Sequence, residues 1–448
     1  MNKIHAKSKY RKALKAFWKI KPGKAEDKPK LLFISRLMPS PTGGGSFMRA
    51  YYTLQALSTY YDIDLLVFTM SYRNPPAPPN PAVKKMCSRI VINVSNPVYD
   101  YRYLLARLWD KSCKRLFPHS SKGRDMEICP NLSPQRKKKL QSYFNGRHFE
   151  TVHIFRLANF PVYKTISDNF SSGHVQLDLD DFESDKLLQI SKLLLEGNNT
   201  EQAELIGRFA ASYEQMEQSV LPILDQVFVC SALDKDKVAA QYKCRQLTVL
   251  PNVYPVPKEK EHIAEDGKFR LLFVGSLGYT PNADALFYFC DQILPLLRKT
   301  APSKFELRII GDMNLVPKQI QKTLAQQPEI VILGRVDDVA PYYWETDCAI
   351  IPLRAGGGTR IKALESFAWQ VPVVSTSKGI EGLGVKHEHS AMIADTPQEF
   401  ADQCARLMAD SSLRENLKKN AKLLVESEYA PERLTEILLT PVLGVGPK

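Results

Sequence analysis

The sequence predicts an α/β protein made of two doubly wound, Rossmann-like domains facing each other across a cleft. Three observations carry that expectation. The chain has 448 residues, and a domain usually holds about 100–200, so two large domains are expected. Each half opens with a short apolar run, a loop and then a helical pattern. Leu31-Leu32-Phe33-Ile34-Ser35 begins the first half and Leu271-Leu272-Phe273-Val274-Gly275 the second. The other apolar runs are brief and bounded by Gly, Pro or Asp, as parallel strands covered by helices on both faces should be.

In chain order, the strands predicted after Leu31–Ser35 are Ile63–Thr69, Arg89–Val94, Thr151–Phe155, His174–Leu179, Gln226–Cys230 and Thr248–Pro251. After Leu271–Gly275 come Glu306–Gly311, Ile330–Leu333, Cys348–Pro352, Pro372–Ser375 and Ser390–Ile393. Each is rich in Val, Ile, Leu or Phe. Apolar spacing predicts helices over Phe47–Tyr60 and Ala283–Lys299, and a third starting near Thr359. Asn74–Pro81 reads as a Pro-rich surface loop. Pro251–Lys268 holds three prolines and dense charge with little to bury, the character of an interdomain linker. The expected division is a tail over 1–29, a first domain over 30–255, a linker over 256–268, a second domain over 269–425, and a terminal helix over 426–448 returning to the first domain.

Charge is uneven along the chain. The formal net charge is +13. Between Lys3 and Lys30 eleven Lys or Arg stand against Glu26 and Asp27, so +9 lies there and only +4 on the rest. A nucleic-acid-binding core is disfavoured, because that function wants the charge on the folded domain. No run approaches the roughly 18 apolar residues of a membrane span, and no apolar leader predicts export. The eight cysteines form no CxxC pair and no zinc-spaced cluster, and read as reduced, mostly buried thiols.

Two glycine loops carry the chemistry. Pro39-Ser40-Pro41-Thr42-Gly43-Gly44-Gly45-Ser46 joins the first strand to a helix, where close backbone approach and free N–H groups suit an anion such as phosphate. It lacks the GxGxxG spacing of a dinucleotide site and the GKS or GKT of a P-loop. In the second half, Gly356-Gly357-Gly358-Thr359-Arg360-Ile361-Lys362-Ala363-Leu364-Glu365 joins a strand to a helix. Free N–H groups there favour a diphosphate. Arg360 and Lys362 oppose the helix dipole unless an anion compensates. Glu365 follows a turn later, within reach of polar ligand groups. The alternative is that these are solvated charges paired among themselves. Ligands of such sheets sit at the carboxyl ends of the strands, so both loops point to one cleft.

At these residues the chain resembles retaining glycosyltransferases of family four, which have the GT-B fold. The resemblance runs from Lys30 to the C-terminus. It is strongest through LLFVGSLGYTPNADALFYF, RIIGD, VILGRVDDVAPYYWETDCAIIPL and GGGTRIKALESFAWQVPVVSTSKGIEGL, in a subgroup with a GGGTRxKxLE loop. It implies a hexosyltransferase-type enzyme moving a sugar from a nucleotide-sugar to a glycan or lipid-linked acceptor hydroxyl, with retention, no metal and no other cofactor. The first domain would take the acceptor and the second the nucleotide-sugar. Gly44 and Gly45 match the paired glycines that face the donor phosphates. Glu365 matches the second glutamate of a Glu–seven residues–Glu motif, which binds the donor ribose. The first, which contacts the sugar, falls at Gly357, so the backbone of Gly357, Gly358 and Thr359 would have to serve there. Relatives carry Arg and Lys just after the strand Leu271–Gly275, where this chain has Ser276-Leu277-Gly278-Tyr279-Thr280. Arg360 and Lys362 are the candidates to replace that charge, and Gly334-Arg335-Val336-Asp337 sits where relatives hold the nucleobase.

The acidic run Asp178, Asp180, Asp181 and Glu183 follows a strand, and His153 and Arg156 lie near another strand end. Either group is a candidate wall of the acceptor or sugar site, or else a helix-capping run and a structural histidine. Tyr10, Leu14, Phe17 and Trp18 among lysines, and Tyr101–Phe117, have the pattern of basic amphipathic helices suited to an anionic membrane surface. The expected place is cytoplasmic, peripheral on the inner membrane face. The rival reading is a non-catalytic nucleotide-sugar-binding or scaffold protein of a polysaccharide assembly system.

Overall fold

The computed structural model describes residues 28–69, 78–94, 134–257, 267–301, 304–313, 316 and 318–443. The basic segment before Lys28, the amphipathic stretch Tyr101–Phe117, residues 74–77 of the Pro-rich loop and residues 258–266 of the linker lie outside the described residues.

Among the described residues thirteen strands form two sheets. The first holds β1 (Lys30–Ser35), β2 (Asp62–Thr69), β3 (Cys87–Val94), β4 (Arg147–Phe155), β5 (Phe170–Asp178), β6 (Gln226–Val229) and β7 (Leu247–Val249) in the order β3-β2-β1-β4-β5-β6-β7. The second holds β8 (Phe269–Val274), β9 (Phe305–Ile310), β10 (Ile330–Gly334), β11 (Cys348–Ile351), β12 (Val373–Ser375) and β13 (Met392–Ile393) in the order β10-β9-β8-β11-β12-β13. Both sheets are parallel, and in each the order reverses beside the opening strand. That reversal opens a crevice at the strand ends where β1 meets β4 and β8 meets β11.

Burial on both faces explains the continuous apolar runs. In β1, Leu31 and Phe33 enter one core while Leu32 and Ile34 enter another, all fully buried. The first core continues through the second domain and takes in Leu434, Leu438 and Leu439 of the last helix, Glu432–Leu443. That helix packs on helix Gly45–Ser58 of the first domain. The expected helix over Ala283–Lys299 is interrupted: Thr280–Tyr288 and Leu294–Thr300 flank a π turn at Phe289–Ile293. Pro295 is the physical reason, since its ring cannot donate and displaces the carbonyl four residues before it.

Candidate functional site

The two glycine loops meet. Helix Gly45–Ser58 starts after Gly44, and helix Ile361–Ala368 starts after Arg360. A Cβ placed on Gly45 would stand 2.8 Å from Ile361 Cγ1, so the two helix starts face each other across the domain boundary. Neither has an acidic residue in its first turn. Two positive dipole ends therefore converge without a protein carboxylate of their own.

The first-domain wall is a dense ion-pair network. Arg49, on the helix after the first loop, is completely buried at its side chain and donates from Nε and Nη2 to Asp178 at 2.8–3.0 Å. Its Nη1 donates to Asn252 Oδ1 at 3.1 Å, and Asn252 Nδ2 donates to Thr359 Oγ1 at 2.7 Å. That relay runs from β5 through the first helix to the second glycine loop. Ser46 Oγ donates to Asp180 at 2.8 Å. Arg156 contacts Glu183 and lies 3.4 Å from Asp181, while Lys186 Nζ stands 2.8 Å from Asp181 and 2.6 Å from Glu183.

Electrostatics follow that geometry. Burial alone would raise the Asp181 carboxyl, but Lys186 and Arg156 together hold it well below the usual carboxylate range, with a smaller contribution from Arg360. Asp180 is pushed up to about 6, first by burial and then by the Asp181 charge. Arg156 and Asp180 both have positive φ, 68° and 61°. Residues with side chains reach that region at a cost, and such strain collects at functional sites. The acids of Asp178–Glu183 thus hold cations, while Phe182 at the N-cap of helix Glu183–Glu196 makes no side-chain cap.

The second-domain wall has a different character. Arg360, 7% exposed, donates from Nε to the Lys378 carbonyl at 3.2 Å and from Nη1 to the Gly357 carbonyl. Its buried Nη2 has no hydrogen-bond partner among the described residues. Lys362 Nζ lies over the Phe273 ring at 4.4 Å and donates to Asn282 Oδ1 at 2.7 Å. It stands 3.1 Å from where a Cβ on Gly275 would be, beside the loop after β8. Burial, and then repulsion from Arg360, bring its ammonium down to about 7. Glu365 accepts from Tyr254 Oη at 2.8 Å and from Tyr343 Oη at 3.1 Å, and burial raises its carboxyl.

The loop itself is shaped by close approach. Gly358 has φ +66°, and a Cβ there would collide with Asp181 Oδ1. At Gly357 a Cβ would stand 2.8 Å from Lys186 Cβ. The fold thus brings together Gly45, Gly357, Gly358, Thr359, Arg360 and Lys362 with Asp181 and Lys186. Gly44 is the N-cap of the first helix, and Glu365, one turn into its helix, is tied through Tyr254 to the chain that leaves the first sheet. Arg335 is exposed in the loop after the edge strand β10. His153 does not line the cleft. It is 0% exposed, stacks on Phe33 at 4.7 Å, and burial lowers its imidazole to about 4, so it is a neutral core residue. Sequence reasoning missed Arg49, Lys186, Asn252, Tyr254 and Tyr343. Only Arg49 left a trace, as a cation one turn into an otherwise apolar helix face.

Comparison with known proteins bears on the fold and on the second half of the chain. Residues 268–410 match the family model of glycosyl transferases group 1. The capsular polysaccharide biosynthesis glycosyltransferase CapM of Staphylococcus aureus is 25% identical over 138 residues, 30% of this chain and 36% of CapM. The chain spans less than half the length of the curated relatives it matches. Sucrose-phosphate synthase of Thermosynechococcus elongatus superposes with a TM-score of 0.63 at 14% identity, covering 93% of this chain and 100% of that one. HepE of Anabaena, solved with UDP and glucose, superposes with a TM-score of 0.61 at 12% identity and the same coverage. The chain thus has the two-domain GT-B architecture of solved glycosyltransferases, and its second half is similar to glycosyl transferases group 1.

Proposed function

We propose that this chain is a retaining, hexosyltransferase-type glycosyltransferase. It moves a sugar from a nucleotide-sugar to a hydroxyl of a glycan or lipid-linked acceptor in surface-polysaccharide assembly, without a metal. The observation that carries the reading is the second helix start: among the described residues Arg360 and Lys362 form no ion pair there, and Arg360 Nη2 is buried with no acceptor. An unmet guanidinium N–H costs about 1–3 kcal/mol or more, and a phosphate oxygen removes that cost.

In this reading the donor diphosphate lies between the converging helix starts. The N–H groups of the Gly357–Thr359 loop and those after Gly44 and Gly45 face it. Arg360 and Lys362 neutralise the charge that grows as the anomeric carbon–oxygen bond to phosphate breaks. The acceptor oxygen attacks on the same face, and its proton passes to the departing phosphate oxygen. Fixed cations and dipoles supply the stabilisation, so no protein nucleophile is required. Glu365 takes the ribose hydroxyls with its remaining lone pairs, its orientation fixed by Tyr254 and Tyr343. Arg335 stands in the loop that would face the base. Among the described residues no helix is long and apolar enough to cross a membrane. The basic segment before Lys28 supplies the attachment to an anionic membrane surface in this reading.

A thermal-shift screen with UDP-, GDP-, dTDP- and ADP-sugars tests it. One nucleotide class should raise the melting temperature, since a ligand at about a hundred times its Kd adds about 2.7 kcal/mol. NMR of the product should show the donor's anomeric configuration retained, with EDTA present. No shift with any donor would sink the proposal, and binding without transfer would favour a nucleotide-sugar-binding scaffold.

A further inference from the structure

The second glycine loop already faces an anion, and that anion belongs to the protein. Asp181 Oδ1 is the atom that a side chain at Gly358 would strike. Its Oδ2 is held by Lys186 at 2.8 Å and Arg156 at 3.4 Å, and Arg360 also stabilises its charge. Behind it stands the first turn of helix Ile361–Ala368, which has no acid of its own. A carboxylate among three cations and beside a glycine loop occupies the electrostatic position that a phosphate would fill. Arg360 Nη2 remains unpartnered nonetheless, so Asp181 satisfies the site only in part.

We infer that the Asp181 carboxylate is an internal surrogate for the donor diphosphate, holding the first domain against the glycine loop until the nucleotide displaces it. The inference rests on the donor-site reading above and adds a competitor to it. Displacement has a defined destination. Asp181 keeps Lys186, which sits on its own domain, while the unpartnered Arg360 Nη2 and the loop N–H groups take the phosphates. Both sets of ions end paired, so the exchange costs little and the domains are released to move. Lys186 packing on Gly357 means that such a release also opens the space above Gly357, beside the departing sugar.

The test uses the full chain with UDP, GDP, dTDP, ADP and inorganic pyrophosphate as probes, none carrying a sugar. By titration calorimetry, Asp181→Asn should bind the preferred diphosphate about tenfold tighter than wild type, while Asp181→Glu, which keeps the charge, should not. Hydrogen exchange on wild type gives a measurement independent of any variant's folding. Diphosphate should slow exchange at 357–361 and speed it at 180–186. Equal or weaker binding by a folded Asp181→Asn, or protection of both segments, overturns the inference while leaving the donor site standing. Failure of wild type to bind any of the five probes overturns the donor-site reading itself.

Discussion

The two walls of the cleft use their charges in opposite ways. On the first-domain wall Arg49, Arg156 and Lys186 each meet a carboxylate, within the set Asp178, Asp180, Asp181 and Glu183. On the second-domain wall Arg360 is held by two carbonyls and Lys362 by an amide oxygen and a ring, none of them charged. A balanced network fixes geometry and leaves little charge to offer. A cation held by neutral groups stays in place and keeps its field for a ligand. The difference teaches which wall is scaffold and which is binding surface, and it can be broken from either side.

The largest effect is expected from the scaffold. Arg49→Ala leaves Asp178 buried without its bidentate partner and cuts the relay through Asn252 to Thr359. Removing one member of a buried pair typically costs about 3–5 kcal/mol. Urea denaturation should show a loss of that size, and a loss below about 1 kcal/mol would refute the scaffold role. The second wall should respond the other way. Arg360→Ala with Lys362→Ala should weaken nucleotide-sugar binding at least about a hundredfold, at about 1.5–3 kcal/mol for each charged hydrogen bond. Folding stability should change little, because neither residue has an ion pair to lose among the described residues. Unchanged donor affinity in calorimetry would remove both cations from the proposed mechanism.

A smaller effect probes where the walls touch. Gly45→Ala puts a methyl group 2.8 Å from Ile361 Cγ1, although Gly44 and Gly45 themselves lie outside the left-handed region. Overpacking of this kind costs about 1–3 kcal/mol, and Ile361→Ala removes the struck atom. The double variant should recover most of the loss in a thermal melt. Additive losses would show that the two helix starts do not press on each other.

The strands were the legible part of this fold. Every strand expected from an apolar run is present, with ends displaced by a few residues, because burial on both faces writes itself as continuous Val, Ile, Leu and Phe. The break in the helix through Phe289–Ile293 was equally available in Pro295. Partnerships between domains were not legible. Nothing local to Asn252 or Tyr254 marks either as a bridge to Thr359 or Glu365, over sequence separations of 107 and 111 residues. His153 illustrates the same limit in reverse. A histidine at a strand end invites a catalytic role, and only the Phe33 ring stacked on it and the Gln176 side chain 2.8 Å from its Nδ1 show that it is core.

The smallest expected effect is the sharpest test of a wall built to bind rather than to stabilise. Lys362 is brought down to about 7 in the folded protein by burial and by Arg360, far below the ordinary lysine value of 10.5. Between about pH 7 and pH 10.5 the unfolded chain carries this proton and the folded chain sheds it. Stability from this site therefore rises with pH across that window and is lowest below about 7, where the folded protein must hold the charge. Lys362→Met removes that burden while keeping the stem over Phe273. It should raise the melting temperature at pH 6.5 by about 1–3 °C and by less at pH 9, a modest gain because the side chain is only partly buried. Diphosphate binding should move oppositely. Wild type should bind more weakly as pH rises from 6.5 to 8.5, since the ligand prefers the ammonium form, and the Met variant should lose that part of the pH dependence. A variant less stable than wild type at pH 6.5, with binding unaltered, would place Lys362 among the scaffold residues with Arg49.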